Sequence, residues 1–150
     1  MENIDKILIV DNEEHHLRSL LQTLEGESRE ILFTQTAKEA MGIIHKNKVD
    51  LVIATYGMPE MSGLELVKNI RELKPEITRI LLSDTTDIEV MIKALNRGDV
   101  FNFLVEPCEK NLTRDIVEKG LKQRLRIMER RKSEHLQLEK VTLETAMSLA

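Results

Sequence analysis

Short apolar runs recur along the first two thirds of the chain. Most of them are continuous and rich in β-branched residues, as in strands that are covered on both faces. The five runs are residues 7–10, 31–33, 51–54, 80–82 and 101–105. Each of the four intervals between them carries a helical pattern. Strands alternating with helices over short connections predict an α/β fold, a doubly wound, five-stranded parallel sheet with helices on both faces.

Helical stripes fill the intervals between these runs. Apolar residues recur at i, i+3, i+4 and i+7, the spacing of one helix face, and the third interval has a weaker stripe of this kind. The stripes are Leu17, Leu20, Leu21 and Leu24; Ala37, Ala40, Met41 and Ile44; Leu66, Ile70 and Leu73; and Ile88, Met91, Ile92 and Leu95. Thr86 and Glu89 have the spacing of a capping box at the start of the last of these helices.

After Pro107 the pattern changes to one long helix whose only glycine is Gly120. Its first turns are apolar enough to pack on the sheet, and we expect one domain over residues 1–122 and a connector or coiled-coil helix over 123–150. A heptad-like seam follows, with two polar members: Leu121, Leu125, Met128, Lys132, His135 and Leu138. A solvent-exposed connector helix and a two-stranded coiled coil are both compatible with this pattern.

Composition and charge exclude several classes of protein. The 150 residues include no uninterrupted apolar run of membrane-spanning length and no signal-peptide pattern, which predicts a cytoplasmic protein without a membrane partner. Cys108 is the single cysteine, so neither an internal disulfide nor a cysteine-based zinc site is expected. Residues 1–106 carry a net charge of −7 and residues 107–150 a net charge of +3. With few aromatic rings, and with basic residues spread round a helix, nucleic-acid binding is not expected.

Polar residues end the predicted strands, at the sheet edge where open α/β sheets bind ligands. They are Asp11, Asn12 and Glu13 after the first strand, Thr55 after the third, Ser83 and Asp84 after the fourth, and Glu106 before Pro107 after the fifth.

At these positions the chain resembles the receiver domains of two-component response regulators, which have the CheY-like, flavodoxin-like fold. The resemblance covers residues 4 to about 122. It rests on five motifs in order: ILIVDNEE at 7–14, DLVIAT at 50–55, MPEMSG at 58–63, RILLSD at 79–84 and FNFLVEP at 101–107.

The resemblance also identifies departures at the phosphorylation pocket. In the family, two acids after the first strand and an acceptor aspartate hold magnesium, and a lysine before the final proline contacts the phosphoryl group. Here Asp11 matches the first acid, while Asn12 replaces the second, Thr55 the acceptor and Glu106 the lysine. Ser83 retains the switch hydroxyl and Phe103 the switch aromatic position. The resemblance further suggests a cis Glu106–Pro107 bond.

These departures predict a degenerate receiver with no catalytic residues. A threonine hydroxyl needs a base to attack a phosphoryl donor, and its product would be an ester rather than an acyl phosphate. With Asp11 as the remnant of the metal site, no metal and no cofactor are expected. We expect Asn12, Thr55 or Ser83 to hydrogen-bond Asp11 or Glu106, because neighbouring buried carboxylates are otherwise costly.

Single residues around the pocket also have simpler interpretations. Asp11 and Ser83 are suitable helix caps, Thr55 suits a strand, and Glu106 could be an ordinary exposed acid. His15 and His16 are expected to be solvated residues of a first helical turn.

The resemblance therefore predicts a non-enzymatic signalling module that acts through protein contacts. Its expected partners are a histidine kinase or an output domain, and it is expected to form a homodimer through the helices at 87–97 and 110–138. The alternative is the N-terminal regulatory part of a larger response regulator. Its output domain would be enzymatic, such as a cyclic-di-GMP phosphodiesterase, or DNA-binding.

Overall fold

Five strands and five helices alternate along the chain in a computed structural model that describes residues 4–26 and 28–149. A short 3₁₀ turn at Thr85–Asp87 precedes the fourth helix. The elements are β1 (Asp5–Val10), α1 (Glu14–Leu24), β2 (Arg29–Thr34), α2 (Ala37–Lys46), β3 (Leu51–Thr55), α3 (Gly63–Leu73), β4 (Thr78–Ser83), α4 (Ile88–Asn96), β5 (Asn102–Val105) and α5 (Lys110–Leu149).

All five strands belong to one parallel sheet in the order β2-β1-β3-β4-β5. The predicted doubly wound α/β fold is confirmed. The central strand β3 is buried at every position, as its continuous apolar run indicated. In contrast β2 has one neighbour and lies at the sheet edge, where Phe33 is exposed.

Two hydrophobic layers cover the sheet, one on each face. Strand residues alternate between them, since successive side chains of a strand point to opposite faces. Leu8 and Val52 pack with α2, α3 and α4, whereas Ile7 and Ile53 pack with α1 and α5. Three helices therefore cover one face of the sheet, and two cover the other.

Two helical stripes face the core differently from the sequence prediction. In α3, Val67 is buried while Leu73 at the helix end is exposed. In α4, Met91 and Ala94 are buried, whereas Ile92 and Leu95 point outward and are exposed. The predicted capping box is absent from the start of α4, because Asp84 accepts the backbone N–H of Thr86 and caps the preceding 3₁₀ turn instead.

Helix α5 is continuous over 40 residues, so no break in secondary structure separates residues 1–122 from 123–150. What changes along α5 is burial. Its last buried residue is Arg124, whose Nε lies 3.1 Å from Asp50 Oδ1. One turn earlier, the hydroxyl of Thr78 donates to the carbonyl of Gly120 at 2.7 Å. The first part of α5 is thus anchored to the sheet, and the remainder projects from it.

None of the described helices combines the length and apolar character that crossing a bilayer requires.

Candidate functional site

An open cleft of about 330 Å³ lies at the carboxyl edge of the sheet. The β1–α1 connection, the ends of β3, β4 and β5, and the first turn of α1 all contribute to its walls. Its lining residues are Asn12, Glu13, His16, Thr55, Gly57, Ser83, Asp84, Asp87 and Glu106. The fold therefore brings four of the predicted site residues together, and the fifth, Asp11, contacts the lining residue His16 from within the protein.

Asp11 is completely buried and has two partners. Its Oδ1 accepts the backbone N–H of Glu13 at 2.9 Å, and its Oδ2 lies 2.9 Å from Nδ1 of His16. The other ring nitrogen of His16, Nε2, is 3.8 Å from Oε1 of Glu106. His16 thus lies between the two carboxylates that remain at the family's pocket positions.

This placement corrects the prediction that both histidines are solvated. His15 is solvated, with 73% of its side chain exposed, but the side chain of His16 is only 22% exposed. The reason is the sharp connection after β1, which turns the first turn of α1 back over the strand end. Asp11 also does not cap α1, because the N-cap position of that helix is Glu13 and no side chain caps it.

The hydroxyl groups of the cleft have partners other than those expected. Thr55 Oγ1 donates to the carbonyl of Leu82 on the neighbouring strand at 3.4 Å. Ser83 Oγ donates to Asp87 Oδ2 at 2.7 Å. The prediction that Asn12, Thr55 or Ser83 bonds to Asp11 or Glu106 was therefore wrong among the described residues, and His16 takes that role.

The cleft is strongly acidic. Glu13, Asp84, Asp87 and Glu106 line it, in addition to the buried Asp11. The pKa of Asp84 lies below its usual value because the hydroxyl and the backbone N–H of Thr86 both donate to it. Within the described ranges, no three His, Cys, Asp or Glu side chains are grouped so that they could hold a metal ion. The cleft therefore combines excess negative charge with a buried carboxylate, Asp11, whose two oxygens are already engaged by protein groups.

The final turn of the cleft follows β5. The Glu106–Pro107 peptide bond is cis, as the resemblance suggested. Burial, together with the nearby charge of Glu106, raises the pKa of the Cys108 thiol to about 12. Phe103 is partly buried and packs against the layer formed with α2, α3 and α4. Cys108 is therefore a thiol held in its neutral form.

Sequence reasoning placed Asp84 at this sheet edge but missed His16 and Asp87 as members of the site. His16 follows Asp11 by five residues across a turn, a separation that neither helix nor strand periodicity indicates. Asp84 and Asp87 do carry a signal, since they follow directly on β4 at the same sheet edge.

Comparison with known proteins gives consistent matches. The family model described as the response regulator receiver domain matches residues 7–118. The hydrogenase transcriptional regulatory protein HoxA of Cupriavidus necator is 33% identical over 67% of this chain and 21% of its own length. The transcriptional regulatory protein GlrR of Escherichia coli K12 is 29% identical over 78% of this chain and 26% of its own length.

A solved structure agrees with these sequences. The signal receiver domain of an HD domain-containing protein from Pseudomonas fluorescens Pf-5 is 29% identical, with a TM-score of 0.81, and the match covers 87% of this chain and 96% of that domain. The chain spans about a quarter of the length of the curated relatives that it matches.

Proposed function

Because this chain belongs to the response regulator receiver domain family, we propose that it is a degenerate receiver, which signals through protein contacts without aspartyl phosphorylation. Receiver domains are non-enzymatic signalling modules of two-component systems. We propose that these residues have no catalytic activity of their own and work in the cytoplasm.

The observation that carries this proposal is Thr55. It ends β3, at the position where the family resemblance places the acceptor aspartate, and its side chain is buried. A carboxylate is already an anion and attacks phosphorus directly, whereas a hydroxyl must first lose a proton to a base. The Thr55 hydroxyl donates to Leu82 rather than to a carboxylate or an imidazole, so no described group is in place to activate it.

The rest of the cleft supports the same conclusion. Magnesium takes hard anionic oxygens in octahedral geometry, and the family supplies three carboxylates for it. Of these Asp11 remains, and both of its oxygens are occupied by protein donors. Glu106 stands where a lysine would stabilise the transferred phosphoryl group, and it adds to the negative charge that repels phosphate. These residues do not fit the family's magnesium ion.

The switch hydroxyl, Ser83, already has a hydrogen-bond partner. The Ser83 hydroxyl is bound to Asp87, so it is engaged without a phosphoryl group. We propose that Ser83 and Phe103 stay in one arrangement or respond to a bound protein rather than to phosphate. The expected partners are a histidine kinase or an output domain.

Self-association is the second part of the proposal. Ile92 and Leu95 on α4 and Leu112 on α5 are exposed apolar residues within the helices at 87–97 and 110–138. Large apolar side chains that are exposed on a helix surface favour a protein contact. We propose a homodimer that uses these helices.

A larger regulator is the alternative. The curated relatives are about four times as long as the matched segment, and they are named as transcriptional regulators. The solved receiver from Pseudomonas fluorescens comes from an HD domain-containing protein. On this alternative, residues 1–122 are the receiver, residues 123–150 connect it to an output domain, and the intact mass of the protein isolated from its source cells greatly exceeds 17.3 kDa.

Phosphoryl transfer tests the first part directly. The full chain is incubated with acetyl phosphate and Mg²⁺, and its intact mass is measured before and after. We expect no species with one added phosphoryl group. The matched variant Thr55→Asp combined with Glu106→Lys is expected to show that species, because it restores the acceptor and the cation.

Phosphorylation of the wild-type chain at any residue of the cleft would contradict the proposal. Labelling that persists after Thr55→Val excludes Thr55 as the modified residue, and peptide mapping then shows whether the modified residue lies in the cleft, which would contradict the proposal, or outside it, which would not.

A further inference from the structure

The part of α5 beyond its anchor, residues 125–149, is here termed the tail helix. Its large apolar residues lie in solvent. Leu125, Leu136, Leu143 and Met147 are 52%, 55%, 62% and 68% exposed. Four such residues on a segment with no buried position indicate a surface for another helix, because helices in proteins gain most of their stability by packing an apolar face.

These four residues share one face of the tail helix. Leu125, Leu136 and Met147 are spaced by 11 residues, which is close to three whole helical turns. Leu143 follows Leu136 by seven residues, and Met128 follows Leu125 by three, so both fall on the same stripe. Leu138, which the heptad prediction placed in the seam, lies on the opposite side of the helix.

Two opposite charges interrupt this stripe. Lys132 and Glu139 occupy the positions between the apolar residues. Both side chains are exposed, and within the chain Glu139 contacts His135, whose Nε2 is 3.0 Å away. Lys132 precedes the centre of the stripe by about as many residues as Glu139 follows it. The stripe is thus self-complementary about a point between His135 and Leu136.

A second copy running in the opposite direction satisfies every position. Lys132 meets Glu139 of the second copy and Met128 meets Leu143, while Leu125 lies within one residue of Met147 and Leu136 within one residue of its own equivalent. Residues on the same flank face one another in antiparallel pairs, which places Glu129 near Lys140 of the second copy.

Parallel pairing in register would do the reverse. It would place two Lys132 side chains against each other and two Glu139 side chains against each other, within an otherwise apolar seam. Like charges that face each other destabilise a helix pair, and opposite charges stabilise it. Charge complementarity therefore selects the antiparallel arrangement.

We propose that the tail helix pairs with the tail helix of a second copy of this chain in an antiparallel, two-helix contact centred at residues 135 and 136. The inference rests on the self-association part of the proposed function, and it places the contact in the tail, part of which lies within the 110–138 segment of that proposal. The anchor at Arg124 and Gly120 fixes the direction in which each tail leaves its receiver.

Charge exchange tests the pairing. The dimer dissociation constant of the full chain is measured by sedimentation equilibrium for wild type, Lys132→Glu, Glu139→Lys and the double variant. Each single variant is expected to weaken the dimer on the order of tenfold, because two attractive contacts per dimer become repulsive. The double variant is expected to recover the wild-type constant. Single variants as strong as wild type, or a chain that stays monomeric at the highest concentration reached, would overturn the pairing.

Disulfide trapping tests the direction. In a Cys108→Ser background, a tagged Leu125→Cys chain is mixed with a Met147→Cys chain and oxidised. The antiparallel pair predicts a disulfide between the two different chains and little between two Leu125→Cys chains. Rapid cross-linking of Leu125→Cys to itself would overturn the proposal in favour of a parallel pair.

The receiver surface provides the control that separates the two proposals. Leu112→Asp reports on the receiver contact of the proposed function, whereas the tail variants report on the tail pairing. A dimer that is lost in Leu112→Asp and unaffected by the tail variants would overturn the tail pairing while leaving the proposed homodimer intact. The phosphoryl-transfer experiment is independent of both results.

Discussion

The two edges of the sheet differ in how they use polar residues. At the amino edge, Asp50 and Arg124 are both about nine-tenths buried and lie 3.1 Å apart, and Thr78 binds the backbone of Gly120. At the carboxyl edge, acidic side chains line an open cleft, and the contact between His16 and Glu106 is long at 3.8 Å.

The difference separates two roles. The amino edge holds α5 in a fixed position, so that the tail helix leaves the receiver in one direction. We propose that the carboxyl edge keeps the shape of the family's phosphorylation pocket without its chemistry. On this proposal, a receiver without phosphotransfer still needs the contacts at the amino edge, because they position the surfaces that bind other proteins.

Removal of the amino-edge cation should have the largest effect on stability. Arg124→Ala leaves the Asp50 carboxylate buried without its ion pair, and we expect a loss of roughly 3 kcal/mol in the free energy of unfolding. The pKa of Asp5, already raised by partial burial and by Asp50, should rise further because Arg124 lowers it. Urea unfolding followed by circular dichroism and titration by NMR measure the two effects.

Lys122→Ala is the control for this variant, since Lys122 is an exposed residue on the same helix. Equal decreases in the free energy of unfolding for Lys122→Ala and Arg124→Ala would show that the contact between Arg124 and Asp50 stabilises the protein no more than an exposed side chain does.

Two glycines sharpen the contrast between anchored and open helix surfaces. A Cβ at Gly120 would lie 2.9 Å from Thr78 Cγ2 and 3.1 Å from Leu51 Cδ1, whereas one at Gly42 in α2 meets nothing within 4 Å. We expect Gly42→Ala to stabilise the protein by up to about 1 kcal/mol from helix propensity. Gly120→Ala should destabilise it by about 1 kcal/mol, because the crowding of the added methyl group costs more than the helix propensity gained. Thermal unfolding compares them, and stabilisation by both changes would contradict the tight contact.

The two adjacent histidines test the carboxyl edge. His16→Ala leaves buried Asp11 with one backbone donor, and we expect the free energy of unfolding to fall by about 1 kcal/mol at neutral pH. His15→Ala removes an exposed ring and should change it little. If chemical denaturation gave the same result for both variants, His16 would be as solvated as the sequence predicted.

Cys108 gives the smallest effect, and it is measured as a rate. Because burial raises the pKa of the native thiol to about 12 from its ordinary value of 9.0, it should react slowly with iodoacetamide at pH 8 relative to the unfolded chain. The unfolded thiol ionises first as the pH rises, so this group's contribution to stability is lost above about pH 9. Glu106→Gln should speed alkylation, since it removes a nearby negative charge. Unchanged rates in that variant would place Glu106 away from the thiol.

The sheet was predictable because burial on both faces requires continuous apolar runs, as in residues 51–54. The charged beginnings of β1 and β2, such as Lys6 and Arg29, extend those strands and carry no such signal. The exposure of Leu73 and Ile92 depends on how each helix lies against the sheet, which periodicity does not determine.

The sequence predicted which residues belong to the site better than it predicted which of them contact one another. The carboxyl ends of parallel strands must meet at one edge, so Asn12, Thr55, Ser83 and Glu106 were placed together from their positions. Which of them bond depends on side-chain directions and turn geometry. His16 took the role assigned to Thr55 and Ser83, because the β1–α1 turn aims its ring at Asp11.

Magnesium binding tests the central claim most directly. Calorimetric titration of the full chain with Mg²⁺ is compared for wild type, Glu106→Lys, and Thr55→Asp combined with Glu106→Lys. A cleft that has lost the family's metal site predicts no binding heat at low millimolar Mg²⁺ for the first two and binding for the third. Saturable binding by the wild-type chain, or by Glu106→Lys alone, would contradict the account.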